Sequence, residues 1–253
     1  MKYGDGCWVD IEQADKNKVV VVPLGSMEQH GHHSPLLTDT YLVTAVAERV
    51  ENELREETYF LPTLWLGASD HHLDLPGTTS VPNHVYTLVI KNIVRSISKA
   101  GFQRIFFLNG HGGNVIPGTQ ALTELANESD EYNNLWMALA SYWSVASPAM
   151  AAESHGMRTK QLTHACEYET SMMLALHGEI MRMDRVTASP PLLDSPFFHS
   201  ERGGRVNVAK RMNTWTPTGA MGGPQHATEE KGESLLNAIT DEVVLFLKDF
   251  ATW

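Results

Sequence analysis

Histidine is the residue type out of proportion in this chain. There are 12 among 253 residues, and they gather in groups: His30, His32 and His33; His71 and His72; His111; His155 and His164. Imidazole is both a common metal ligand and the side chain that exchanges protons near neutral pH. Groups far apart along the chain suggest convergence on one site. In residues 25–31 (GSMEQHG), Glu28 and His30 stand two apart. An extended backbone turns both to the same side. A carboxylate and an imidazole there suit a first-row divalent metal, and they equally suit a surface loop with an ion pair.

Four further segments carry similar options. In LLTDT (36–40), Thr38 or Asp39 is placed to cap a helix, or Asp39 bridges two metals through its two oxygens. In NGHGGN (109–114), glycines on both sides of His111 permit a sharp turn and a close approach. The spacing is not that of a GxGxxG nucleotide loop, and no GxSxG nucleophile elbow occurs. In HACEYETS (164–171), Glu167 and Glu169 favour a helix start. Alternatively one of them is a ligand, with His164 as an acid/base. In SDHHLDLPGTT (69–79), Pro76-Gly77 explains a turn, whereas His72 is a candidate substrate contact. Gly112 and Trp143 are two more such candidates. Cys166 is not expected to act as a nucleophile, because neighbouring carboxylates raise a thiol pKa.

These residues need elements to hold them. Short apolar runs predict strands over 18–24, 58–66, 104–108 and 135–142. Stripes at helical spacing predict helices over 39–56, 84–100, 118–127, 167–177 and 227–250. The alternation predicts an α/β fold with a mostly parallel sheet. Such sheets bind ligands beyond the carboxyl ends of their strands. Glu28 and His30, residues 69–72, residues 109–114 and Trp143 all follow predicted strands. Residues 190–223, rich in Pro, Gly, Ser and Arg, read as a lid or an interface arm.

Composition excludes several classes. Hydrophobic residues make up 42% and charged residues 19%, which is a globular balance. The net charge of −11 gives no footprint for nucleic acid or an anionic membrane. Two cysteines, Cys7 and Cys166, make no disulfide framework, so a reducing, cytoplasmic setting is expected. No apolar run reaches membrane-spanning length. One domain over residues 1–253 is expected, acting on a small molecule.

The segments PLGSMEQHG (23–31) with TDT (38–40), S-x-x-H-x-x-x-PGT (69–78), NGHGGN (109–114), HACEYETS (164–171) and GGPQHATEEKG (222–232) occur in one order. The ordered set resembles the creatininase (creatinine amidohydrolase) family. The resemblance implies a creatininase-like three-layer α/β/α sandwich, assembled as a homohexamer. It implies two divalent metals, zinc, manganese or both, with iron suited by the same donors. The implied activity is hydrolysis of an amide C–N bond in a small, often cyclic, substrate. The implied ligands are Glu28, His30, Asp39 as the bridge, His111 and Glu169, with Glu167 in reserve for the last and His164 as proton shuttle. This chain departs from creatininase twice. Gly113 stands where creatininase has a glutamate ligand, and Lys160 stands where it has a tryptophan against the substrate. Creatinine is therefore not the expected substrate, and deformylation or peptide cleavage within the family are alternatives. A metal-binding protein without catalysis, and a metal-free binding protein whose histidines only hydrogen-bond, are readings of a different class.

Overall fold

A computed structural model describes residues 2–160, 162–187, 195–199, 203–204, 206 and 208–253. The order begins with α1 (Trp8–Gln13), β1 (Val19–Leu24), α2 (Thr38–Glu53), β2 (Thr58–Phe60) and α3 (Asn83–Lys99). It continues with β3 (Arg104–Asn109), α4 (Val115–Glu128), α5 (Asp130–Asn133), β4 (Trp136–Ser141) and α6 (Tyr142–Val145). Then come α7 (Glu167–His177), the short antiparallel pair β5 (Phe198–His199) and β6 (Gly203–Gly204), α8 (Met212–Trp215) and α9 (Glu229–Phe250).

The sheet runs β2-β1-β3-β4, and every pairing in it is parallel. Its central strand reads VVVVPL and is buried on both faces, as β-branched residues under two helical layers should be. Alternation divides the core. Val19, Val21, Phe106 and Leu108 pack with the apolar faces of α2, α7 and α9. Val20, Val22, Leu24, Ile105 and Phe107 pack with those of α3 and α4. The result is the expected three-layer α/β/α sandwich.

Two expectations are corrected. The second strand was expected over 58–66, but it ends at Phe60. Pro62 has no N–H to give the ladder, and pairing to β1 resumes only at Leu64, whose N–H donates to the Pro23 carbonyl (3.0 Å). Neither Thr38 nor Asp39 caps α2. Both lie inside its first turn, Leu37 takes the cap position, and no side chain caps it. Thr38 hydroxyl donates instead to the Pro35 carbonyl (2.7 Å), which frees Asp39 for the site below. No helix among the described residues is long and apolar enough to cross a membrane.

Helices α7 and α9 meet closely at Gly232, where an added Cβ would lie 1.9 Å from the Ser171 carbonyl oxygen. Helix propensity alone favours alanine there by about 1 kcal/mol. Overpacking at a backbone contact costs roughly 1–3 kcal/mol or more. Gly232→Ala is therefore expected to lower the unfolding midpoint in a thermal melt. A raised midpoint would show that the two helices do not touch there.

Candidate metal centre

The sheet exits bring the chemistry together. After β1, the Glu28 N–H donates to the Leu36 carbonyl (2.8 Å) and His30 pairs with Ser34, so residues 28–36 fold back on themselves. The returning chain enters α2 with Asp39 directed at Glu28 and His30. The exit of β3 turns at His111. The exits are stitched by two asparagines. Asn114 Nδ2 donates to the Gly25 carbonyl (3.0 Å), and Asn114 Oδ1 accepts from the Ala68 N–H (3.0 Å). Asn109 Nδ2 donates to the His111 carbonyl (2.7 Å) and to Ser141 Oγ (2.9 Å). Glu169 arrives from the first turn of α7, where its Oε2 also accepts from the Cys166 N–H (3.4 Å).

Asp39 is the shared member. Its Oδ1 is 3.0 Å from His30 Nε2. Its Oδ2 is 2.9 Å from His111 Nδ1 and accepts from Ser26 Oγ (3.0 Å). Glu28 Oε2 lies 3.2 Å from His111 Nδ1. Two triads result, Glu28–Asp39–His111 and His30–Asp39–Glu169, each with donor atoms within 4.8 Å of one another. All five residues are buried. A third triad joins Glu28 and His30 to His164.

The outer ring nitrogens are satisfied. His30 Nδ1 is 3.2 Å from the Glu28 carbonyl. His111 Nε2 is 3.2 Å from the Ala68 carbonyl and 3.1 Å from Ser69 Oγ. A hydrogen on each outer nitrogen leaves the inner nitrogen as a lone pair facing the carboxylates, the usual arrangement behind a metal-bound histidine. Such a lone pair repels a carboxylate unless a cation sits between them. Without metal, the proton is that cation. Burial opposes charge on His30, but the Asp39 carboxylate overrides it and holds the pKa at about 10. His111 is likewise raised, against burial, by Glu28 and Asp39. Burial would raise Glu28 and Asp39, yet the facing imidazoles hold both below the usual carboxylate range. Glu169 goes the other way, pushed up to about 8 by burial with Asp39 beside it. Glu28 Oε2 and His30 Nε2 lie close to opposing groups but are buried without a well-aligned hydrogen bond. Atoms aimed at a common point instead of at each other fit a mixed N/O site for divalent metals.

The other sequence candidates separate. His164 has its Nδ1 3.7 Å from Glu28 Oε1 and its ring 4.4 Å from that of His30. At 14% side-chain exposure it is more open than His30, His72 or His111. His72 does not present a free edge to a substrate. It is buried, with Nε2 3.3 Å from Glu28 Oε1 and Nδ1 2.8 Å from Gln29 Nε2. Trp143 packs edge-on to Tyr142 and against the apolar core of α7 and α9. Among the described residues its ring meets Tyr142 and none of the site histidines. Gly112 opens the short turn before α4, with open space where a side chain would be. Gly113 differs: an added Cβ would lie 2.1 Å from the Ala68 carbonyl and 2.4 Å from His111 Nε2. No carboxylate fits on that residue without a shift.

Glu167 is engaged elsewhere. It accepts from Lys231 Nζ (2.6 Å) and from the N–H groups of Arg158 (2.9 Å) and Thr159 (2.7 Å). Cys166 is buried, and burial followed by Glu169 pushes its thiol up to about 12, which agrees with an inert cysteine. The expected arm over 190–223 lies partly outside the described residues. Its last part reaches the site, where the Met221 N–H donates to the His164 carbonyl (2.8 Å). Ala165, between His164 and the α7 cap, has φ 50°, a strained value for alanine that fixes the turn into α7. The supporting roles of Ser26, Ser69 and Lys231 had no signal in the sequence, because each depends on a partner distant in the chain.

The family model described as creatininase, creatinine amidohydrolase, matches residues 5–247. A creatinine amidohydrolase of Pseudomonas putida is 30% identical over 247 residues, covering 92% of this chain and 90% of the relative. A mycofactocin precursor peptide peptidase of Mycobacterium tuberculosis is 32% identical, covering 89% and 82%. A 3-dehydro-scyllo-inosose hydrolase of Thermotoga maritima is 27% identical, covering 94% and 79%. Among solved structures, a mutant creatininase described as Zn-Zn type superposes with TM-score 0.82 at 26% identity, covering 98% and 97%. A manganese creatininase superposes with TM-score 0.83 at 25% identity, with the same coverage. The chain belongs to the creatininase family.

The raised groups set a pH dependence for metal-free protein. A histidine whose pKa rises on folding stabilises fully below its unfolded value and loses that contribution as pH climbs through the folded value. For His30 the window runs from 6.5 to about 10. Glu169, raised from 4.5 to about 8, acts in the same direction, because folded protein holds its proton longer. After chelation, the melting midpoint is expected to fall between pH 6.5 and 10. A midpoint rising across that window would contradict the protonated cluster.

Proposed function

We propose that this member of the creatininase family is a binuclear metal-dependent hydrolase that cleaves an amide C–N bond in a small substrate, as a homo-oligomer. The observation that carries the reading is Asp39, whose two oxygens face separate imidazoles and join two triads. Glu28, Asp39 and His111 would hold one divalent ion, and His30, Asp39 and Glu169 the other. Zinc, manganese or iron suit these donors, and the zinc and manganese creatininases among the similar solved structures favour the first two. Bound metals supply an activated water and polarise the substrate carbonyl.

The chain's own residues do the rest. His164 stands at the more open edge of the cluster with Nδ1 toward Glu28. It takes a proton at that nitrogen and gives it to the departing amide nitrogen. Oxygen from water ends on the carbonyl carbon and the C–N bond breaks, yielding a carboxylic acid and an amine. His72 fixes Glu28 from behind. Lys160 is exposed and Trp143 is half-buried against the apolar core, so neither of these two positions walls a flat ring. That favours an open-chain amide, a formamide or a short peptide, over creatinine.

Metal analysis of gently purified protein is expected to find two ions per chain. Glu169→Gln should reduce this to about one. Glu167→Gln should keep two while lowering the melting midpoint, because it weakens the buried Lys231 pair. Reversed outcomes would move the fifth ligand to Glu167. A screen over creatinine, lactams, N-formyl amines and short peptides identifies the substrate class. With the best of these, His164→Ala should retain both metals and lose about 100-fold or more in kcat. Wild-type turnover in that variant would remove the shuttle role, and absence of metal after reconstitution would sink the whole mechanism.

A further inference from the structure

The two edges of the sheet are finished differently. At one, β2 is short, ending at Phe60, and Lys2 bridges to that residue from outside. At the other, β4 runs beside the whole of β3, and no strand lies on its outer side among the described residues. The register says which groups stay open. Trp136 is paired with Arg104, and its N–H donates to the Gln103 carbonyl (2.9 Å). In a parallel ladder alternate residues bond the same neighbour, so Trp136, Ala138 and Ala140 bond β3. The N–H groups of Met137, Leu139 and Ser141 and the carbonyls of Met137 and Leu139 point outward. Among the described residues none of these groups finds a partner in another strand or loop.

The devices that blunt an open edge are missing. The strand reads WMALAS, without charge, proline or glycine. Met137 to Ala140 stay half-buried although helices cover both faces of the sheet, whereas Ile105 to Leu108 beside them are buried. Trp136 is 49% exposed. The neutrality extends beyond the strand. No Asp, Glu, Lys, Arg or His occurs between Glu131 and Glu153, in a chain of net charge −11. Two copies carrying that charge repel each other, and a neutral surface is where they can meet at least cost.

We infer that β4 is the contact between two copies of this chain, paired antiparallel with itself about a two-fold axis at Leu139, so that two four-stranded sheets become one. The register follows from the open groups. With Leu139 opposite itself, its N–H donates to the Leu139 carbonyl of the other copy, and the Ser141 N–H donates to the Met137 carbonyl. The two-fold axis repeats each bond. Trp136 then falls opposite Tyr142, at the start of α6, which covers an exposed tryptophan of the kind that anchors interfaces. This rests on the reading of the protein as a homo-oligomer and names the surface that joins it.

Light scattering on purified protein measures the mass in solution. Trp136→Glu puts a charge into the contact at an exposed position. Met137→Pro removes an outward N–H and no bond to β3, as an edge strand tolerates. Each variant should fall to half the wild-type mass or less, since a two-fold contact joins chains in pairs, with the wild-type circular dichroism retained. Hydrogen exchange read by mass spectrometry should show the amides of residues 137–141 protected in wild type and faster in Trp136→Glu. If the proline variant does not fold, the glutamate variant carries the comparison. Wild-type mass in folded Trp136→Glu would overturn the β4 contact and leave the homo-oligomer standing. A wild-type chain that is monomeric at its highest soluble concentration would overturn both.

Discussion

Three carboxylates, those of Glu28, Asp39 and Glu169, are buried in one cluster. Like charges in a protein interior cannot all remain ionised without cations among them. The surrounding structure answers that constraint. Imidazoles face Glu28 and Asp39 at about hydrogen-bond distance, while Glu169, with less compensation, keeps its proton to about pH 8. Protons satisfy the cluster in one form and divalent metals in the other. The cluster is thus built for cations, and His30 and His111 have their outer nitrogens tied to backbone carbonyls so that only the inner ones can serve.

A parallel sheet suits this arrangement because all four strands end on the same side. The site begins at those ends and is completed by helix starts, α2 for Asp39 and α7 for Glu169. Asn109 and Asn114 tie the exits of β1, β3 and β4 to the segment after β2. The glycines of this loop let backbone and histidine lie against each other, which at Gly113 leaves no room for a side chain. The third buried carboxylate of the cluster, that of Glu169, comes from α7.

Much of this was legible in the sequence. The layer order, the five longest helices and the gathering of histidines at strand exits follow from periodicity and from residue type. Asp39 was ambiguous, since a helix-start aspartate has a local use as a cap. Only the distances to His30 and His111 place it in the buried cluster. The choice between Glu167 and Glu169 was open for a similar reason: both begin the same helix, and a partner far along the chain, Lys231, takes the first. Trp143 follows a strand as expected but packs half-buried against the core, and His72 reaches the site behind Glu28. Residue type gave the chemical options in each case, and side-chain direction, set by tertiary packing, decides which groups meet.

The contact between α7 and α9 has a consequence for biosynthesis. Glu28, His30, Asp39 and His111 are translated early, but Glu169 sits on a helix that packs under Gly232 and whose first turn is held through Glu167 by Lys231. Both of those residues emerge well after Glu169 itself. A nascent chain therefore lacks the support that seats Glu169 beside His30 and Asp39 until α9 has docked. The C-terminal helix thereby completes a cluster of acids and imidazoles that lies far from it in the chain.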